Sequence, residues 1–376
     1  MCLIDLQTRT FESIVLVVYN TFMIFQQIIE KIKKDKIKIL IWLIFIVLIV
    51  FLSFTVHWNK PPKENILRNE LPQIYSATGT LSLITEPDQG TQPLLSLVNS
   101  AKKSVDLVMY QMTDKDISDV LINAHKNGVN VRVLLNLGYF GKKETKTNDL
   151  AYQYLQQNGI SVHWTPAYFA LTHQKTIVID NEKALIMSWN LVPKYYSTGR
   201  DFGILDTNPK DVLAIENTFS ADWDNKQIDS QNGDDLVWSP GSENDMLLII
   251  KDAKKTLDVY NEEMNYDVIT SALKDAEARG VSVRIVMTYS TPNKPIFKDL
   301  IANNIKIHTF SGSKKLYIHA KAIIADESEA FVGSENFSFT SLNKNRELGI
   351  FIKDQDIISS LENTFTTDWQ NGKEFK

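Results

Sequence analysis

The sequence holds a single cysteine in 376 residues. That excludes an intramolecular disulfide framework and any cysteine-built zinc or iron–sulfur centre. Glycine, at 15, and proline, at 11, are too scarce for a fibrous or low-complexity chain. Neither sign of charge dominates: 40 Lys+Arg face 45 Asp+Glu, and a formal net of −5 offers no global attraction for a polyanion. What is present, 44% hydrophobic and 10% aromatic residues beside 23% charged, is a globular composition rather than a disordered one. The length allows two or three domains at roughly 100–200 residues each.

Residues 39–56 read ILIWLIFIVLIVFLSFTV, eighteen positions without a charge, proline or glycine. At about 1.5 Å per residue they form a helix about 27 Å long, near the roughly 30 Å of a hydrocarbon core. Lys31, Lys33, Lys34, Lys36 and Lys38 precede the run, whereas only Lys60 follows closely. Positive charge stays on the cytoplasmic side, so the expectation is a single-pass protein with residues 1–38 cytoplasmic or interfacial and the bulk of the chain outside. A cleaved signal peptide is the rival reading. The 38 residues before the run and the lack of a small-x-small site after it weigh against that. A shorter apolar stretch over 13–29 is either interfacial or a second pass. Residues 57–82, polar and proline-bearing, read as a linker. Residues 1–60 hold seven Lys+Arg and four Asp+Glu, so the remainder carries 33 against 41, a net of −8 that disfavours nucleic acid.

The rest is one unit written twice. Ala101-Lys102-Lys103 matches Ala253-Lys254-Lys255, and Gly128-Val129 matches Gly280-Val281, at an offset of 152. Further on the offset is 146: His173 with His319, Arg200 with Arg346, and ENTFSADW at 216–223 with ENTFTTDW at 362–369. The copies span 83–228 and 235–373, joined by DSQNGDD. Within each copy, β-branched runs such as VDLVMY and VNVRVLL alternate with stretches of helical spacing, followed by a hairpin and a closing helix. The expected fold is α/β, with two pseudo-symmetric halves of mixed sheet flanked by helices.

Each copy carries one cluster of chemical residues. Copy one has His173, Lys175 and Asp180, then Ser188 and Asn190; copy two has His319, Lys321 and Asp326, then Ser334 and Asn336. Both read HxKxxxxD with SxN beginning eight residues after the aspartate. Residues two apart on a strand share a face, so His and Lys point together, and the returning strand brings Ser and Asn beside them. Asp180 and Asp326 fall in the turns, where they read as turn-forming rather than proton-carrying. His163 and His308, also a repeat pair, read as structural, while His57 and His125 have no partner.

The doubled motif resembles those of the phospholipase D superfamily, over about 290 of the 376 residues. The resemblance implies that both halves share one central active site, with the two motifs as its catalytic residues. One histidine attacks phosphorus to give a phosphohistidine and the other serves as acid and base. The family pattern favours His173 as nucleophile and His319 as acid/base, an order the residues alone leave open. Lys175, Lys321, Asn190 and Asn336, with Ser188 and Ser334, would bind the phosphate oxygens. Two ammonium groups suffice for the developing charge, so no cofactor and no metal are expected. Asp201 and Glu347 map onto the acidic residue that orients the imidazole, the alternative being an ion pair with the adjacent Arg200 or Arg346.

The superfamily spans lipases, phosphatidyl transferases and nucleases. A tether beside lipid headgroups favours a phospholipid substrate, as do aromatics near the motifs: Tyr168, Phe169, Trp189, Tyr195, Tyr196, Phe337 and Phe339. Phospholipid hydrolysis is the leading expectation. Phosphatidyl transfer of the cardiolipin synthase kind, nuclease action and a non-catalytic membrane-binding role are the alternatives. Residues 61–376 have no cysteine and only one N-x-S/T sequon, at Asn336, which points to a bacterial inner-membrane protein facing outwards.

Overall fold

The computed structural model of the chain describes residues 75–76, 81–138, 147–228, 233–312 and 316–376. The expected membrane span at 39–56, the segment before it and most of the 57–82 linker lie outside the described residues. Among the described residues no helix is long and apolar enough to cross a membrane. The linker ends earlier than its composition implied, because β1 (Tyr75–Ser76) pairs antiparallel with β2 (Leu81–Glu86).

The first copy runs through α1 (Gln92–Ser100), β3 (Ser104–Met109), α2 (Lys115–Lys126), β4 (Asn130–Leu135), α3 (Asp149–Gln157) and β5 (Ser161–Trp164). It continues with the motif hairpin β6 (Thr176–Ile179) and β7 (Lys183–Met187), then β8 (Gly199–Asp206) and the closing helix α4 (Pro209–Trp223). Its sheet has the order β1-β2-β8-β7-β6-β3-β4-β5, parallel through β3, β4 and β5 and antiparallel elsewhere.

The second copy repeats this plan with β9 (Leu236–Ser239), α5 (Glu243–Asp252), β10 (Thr256–Tyr260), α6 (Asp267–Ala278), β11 (Ser282–Thr288), α7 (Lys294–Ala302) and β12 (Lys306–Phe310). After them come β13 (Tyr317–Ile318), the motif hairpin β14 (Lys321–Ala325) and β15 (Glu329–Gly333), α8 (Phe339–Asn343), β16 (Glu347–Ile352), α9 (Gln355–Asn371) and β17 (Lys373–Glu374). Its sheet order is β17-β12-β11-β10-β14-β15-β16-β9, and the strand β13 leaves it to pair with β8 of the first sheet.

Local chemistry explains these elements. Asp114 caps α2 by accepting from the backbone N–H of Asp116 and Ile117, and Asp354 caps α9 in the same way. Each motif hairpin turns through two residues of positive φ, Asp180-Asn181 and Asp326-Glu327, matching the twist of the flanking strands. The hairpin strands β6 and β14 are buried along their whole length, as strands covered on both faces must be. Helices α1, α2 and α3 cover one face of the first sheet over Leu107, Val133 and Ile177; α5, α6 and α7 cover the second over Leu257, Ile285 and Ile323.

The remaining faces pack on each other. Val178, Phe202 and Ile204 form one cluster with Tyr260, Ile324, Val332 and Ile350, sharing it with Ile215 of α4 and Leu361 and Phe365 of α9. The repeated ENTFxxDW segments serve this layer. Arg132 lies over Phe219 and Trp223, and Arg284 lies over Phe365 and Trp369, each arginine also binding an aspartate of its own sheet. His163 stacks on Trp223 at 3.8 Å and His308 on Trp369 at 3.7 Å, so both histidines are structural.

Candidate active site

Each motif histidine is tied by backbone to the opposite half. The N–H groups of His173 and Gln174 both donate to the carbonyl of Arg346, each at 2.9 Å. In the pseudo-symmetric place, β13 runs parallel to the start of β8, and the N–H groups of His319 and Ala320 donate to the carbonyl of Arg200 at 3.2 and 2.8 Å. The residue after each arginine is the carboxylate expected to orient an imidazole. It does so across the molecule: His173 Nδ1 is 2.8 Å from Glu347 Oε2, and His319 Nδ1 is 2.8 Å from Asp201 Oδ1. Despite its shorter side chain, Asp201 reaches. The alternative ion pairs with adjacent arginines do not form. Arg200 pairs with Asp368 at 2.7 Å and with Asp88, and Arg346 pairs with Asp222 at 2.9 Å.

A carboxylate on Nδ1 fixes the tautomer and leaves Nε2 as the reactive nitrogen. Burial pulls the His173 pKa below its ordinary value although Glu347 pulls the other way, which favours a neutral imidazole. Burial alone would raise Glu347, but His173 and Lys175 outweigh it and hold the carboxylate below its usual range.

Four expected site residues stand elsewhere. Ser188 and Ser334 were expected at the phosphate, but both are fully buried behind the histidines. Ser188 Oγ donates to Asp201 Oδ1 at 2.6 Å and Ser334 Oγ to Glu347 Oε2 at 2.7 Å, so the serines lock the carboxylates. Asp180 and Asp326, the last members of the two motifs, lie outside the cavity in the hairpin turns. Asp180 accepts from the N–H of Lys102, Lys103 and Ser104, and Asp326 from those of Lys254, Lys255 and Thr256. Partial burial works to raise both pKa values, and these amides more than offset it. They pin the turn to the start of the neighbouring strand, as the turn-forming reading expects.

His173, His319, Asn190 and Asn336 wall a single cavity of about 630 Å³. The side-chain oxygens of Asn190 and Asn336 are buried without a hydrogen-bond partner. Lys175 and Lys321 lie just behind this wall. Lys175 Nζ donates to the His173 carbonyl, and burial brings its pKa down to about 7, the charge of Glu347 resisting. Of the aromatics expected near the motifs, Trp189, Tyr195, Tyr196 and Phe339 line the cavity. Phe169 instead lies under Arg346, Phe337 is in the second half's core, and the Tyr168 hydroxyl meets the Lys226 carbonyl.

Glu262, Tyr110 and Glu86 also line the cavity and were not singled out from the sequence. Glu262 Oε2 is 2.9 Å from Lys321 Nζ and 3.4 Å from His319 Nε2, and Oε1 accepts from the Tyr317 hydroxyl at 2.5 Å. Burial opposes its charge, yet Lys321 and His319 hold its pKa well below the carboxylate range. The signal lay in the repeat: the 152 offset equates Glu262 with Tyr110, whose ring sits 4.6 Å from that of His173. Among the described residues the wall holds no Lys or Arg, and no group of three or more His, Cys, Asp or Glu is arranged to hold a metal ion.

A family model described as the phospholipase D-like domain of cardiolipin synthase matches residues 94–223 and 246–369, both halves of this site. The chain belongs to this phospholipase D-like family. Relatives include the cardiolipin synthase of Listeria monocytogenes serotype 4a (strain HCC23), 24% identical over 348 residues, 78% of this chain and 70% of that one. Cardiolipin synthase 2 of Bacillus anthracis is also 24% identical, over 86% of this chain and 73% of its own. The fold is shared with phosphatidylserine synthase of Haemophilus influenzae Rd KW20 (TM-score 0.63, 13% identity, 79% of this chain and 87% of that one). It is shared too with polyphosphate kinase of Porphyromonas gingivalis (TM-score 0.60, 13% identity), where the match covers 76% of this chain and 46% of the other.

Proposed function

We propose that the protein is a phosphatidyl transferase of the cardiolipin synthase kind, moving a phosphatidyl group from one phospholipid onto an alcohol. The observation that carries this reading is one cavity walled by a histidine from each half, each with Nδ1 held by the other half's carboxylate. The cardiolipin synthase relatives support an alcohol, in preference to the water of the hydrolytic reading, as acceptor.

In this scheme the neutral His173 attacks phosphorus through Nε2, forming the N–P bond as the P–O bond to the headgroup breaks. His319, protonated, gives its Nε2 proton to the departing alkoxide. The acceptor alcohol then returns a proton to His319 and attacks phosphorus, breaking the N–P bond and restoring His173. Lys175 and Lys321, with the Asn190 and Asn336 amides, stabilise the charge on the non-bridging oxygens. Glu262 holds Lys321 in the empty site and gives way as the phosphate enters. A chain that carries a net charge of −8 beyond residue 60 gives long nucleic acid little to bind. The apolar run at 39–56 would anchor the enzyme, with the catalytic halves on the extracytoplasmic side of a bacterial membrane.

The test is the full chain in nanodiscs with phosphatidylglycerol, read by mass spectrometry, with His173→Ala as control. Cardiolipin and free glycerol, both absent with the variant, are the expected products. Phosphatidic acid alone would restore the hydrolytic reading, and cleavage of an added single-stranded oligonucleotide with untouched lipid would replace both.

A further inference from the structure

The catalytic scheme leaves unused a buried carboxyl. Glu86 ends β2, is 5% exposed and lies on the cavity wall, yet neither of its carboxyl oxygens has a hydrogen-bond partner. The register of β2 on β8 sets Glu86 opposite Asp201, the residue that holds His319. Directly opposed residues place their side chains on one face of the sheet, so Glu86 stands on the His319 side of the cavity. Arg200 does not serve it: the guanidinium goes to Asp368, to Asp88 and to the Glu86 backbone carbonyl. Two other residues of the same wall also carry an unsatisfied buried atom, the Trp189 indole N–H and the Asn190 side-chain oxygen.

Buried polar groups without partners are rare in folded proteins, and a cluster of them facing a cavity is a site awaiting a polar ligand. We propose that Glu86, with Trp189 and Asn190, forms the subsite that reads the alcohol exchanged at phosphorus, and that it selects a polyol through a second hydroxyl. The proposal rests on the phosphatidyl transfer reading for the acceptor. It extends to the departing headgroup, which occupies the same place beside His319.

The chemistry of the three groups favours a hydroxyl over an ammonium. Burial, and then the charge of Asp201, push the Glu86 pKa up to about 8, with the Gly90 backbone amide tempering the rise. At neutral pH the carboxyl therefore keeps its proton, and can both donate to and accept from a hydroxyl. An ammonium would have to drive that proton off before it met a carboxylate charge. The indole N–H and the amide oxygen supply one further donor and one further acceptor.

The test is a competition on the full chain in nanodiscs between 1,3-propanediol and 1-propanol, acceptors that differ by one hydroxyl. The two phosphatidyl products are separated by mass spectrometry. Wild type is expected to favour the diol by about ten-fold or more, the worth of one well-made buried hydrogen bond. Glu86→Ala should bring the ratio near one, Glu86→Gln should keep most of it, and Trp189→Phe should lower it in part. A wild-type ratio near one, or an unchanged ratio in Glu86→Ala, overturns the proposal. Preference for ethanolamine over the diol also overturns it, in favour of a cation subsite. Should the enzyme form only phosphatidic acid, the transfer reading fails by itself. The subsite is then judged on the donors: phosphatidylglycerol should be cleaved faster than phosphatidylpropanol, and Glu86→Ala should erase the difference.

Discussion

Glu347 accepts from Nδ1 of His173, a residue 174 positions earlier in the chain, at 2.8 Å. The mirror contact joins Asp201 to His319. Each half therefore holds a histidine whose tautomer is decided by the other half, and the active site exists only where the two sheets meet.

That crossing makes the order of the two histidines testable. Asp201→Asn should lower turnover on phosphatidylglycerol by about 10²–10⁴-fold, the usual worth of a positioned general acid–base. With a phosphatidyl ester of p-nitrophenol, whose leaving group departs without a proton, most of that loss should vanish from the first step, read as a p-nitrophenol burst. Glu347→Gln should be slow on both substrates. The reverse pattern would make His319 the nucleophile.

Glu262 Oε2 lies 2.9 Å from Lys321 Nζ and 3.4 Å from His319 Nε2, the groups to which the proposed mechanism brings the phosphate. Removing its charge should tighten inhibition by inorganic phosphate by about ten-fold, since the anion no longer competes with a carboxylate for the ammonium. Inhibition constants for wild type and Glu262→Gln measure this. A weaker inhibitor in the variant would mean that the carboxylate does not stand in the phosphate position.

The Lys175 ammonium is brought down to about 7 by burial. In the empty enzyme it loses its proton as pH rises through that value, and an anionic phosphodiester loses a counter-charge. The second-order rate constant kcat/KM should therefore fall above about pH 7, while kcat, which reports the enzyme with phosphate already bound, should fall at higher pH. Coincident profiles would assign the titration to another group.

Asp222 is buried against Arg346, and Asp368 against Arg200, each pair joining the two halves. Asp222→Asn removes the buried carboxylate charge that pairs with the Arg346 guanidinium and should cost about 3–5 kcal/mol. Urea unfolding of the two proteins provides the comparison. A change under 1 kcal/mol would indicate that water reaches the guanidinium in the variant.

Much of this was legible in the chain. The 146-residue offset pairs His173 with His319 and Ser188 with Ser334, and turn chemistry places the aspartates in the turns. Strand period did not place His and Lys on one face: His173, Lys175 and His319 precede β6 and β14, and each histidine lines the cavity with its lysine behind it. His163 and His308 were rightly read as structural, because their repeat partners lay outside the motifs. The serines were misread. Alternation along β7 and β15 gives the face of a side chain but not what lies in front of it, and both hydroxyls proved to be covered by the carboxylates they bind.

The duplication and the two sets of reactive side chains can be read from the chain alone, while chemistry at phosphorus entered through the resemblance of the doubled motif to the phospholipase D superfamily. The first two follow from periodicity and side-chain chemistry, both of which are local. The three-dimensional packing was needed to show which carboxylate serves which histidine, that Glu262 reaches Lys321, and that Glu86 lines the cavity with its carboxyl oxygens unpaired. The crossed pairs depend on how two sheets pack and on which backbone carbonyl each motif meets, contacts between residues more than a hundred positions apart. The Glu262–Lys321 contact, 59 positions apart in one half, depends on the pairing of β10 with β14.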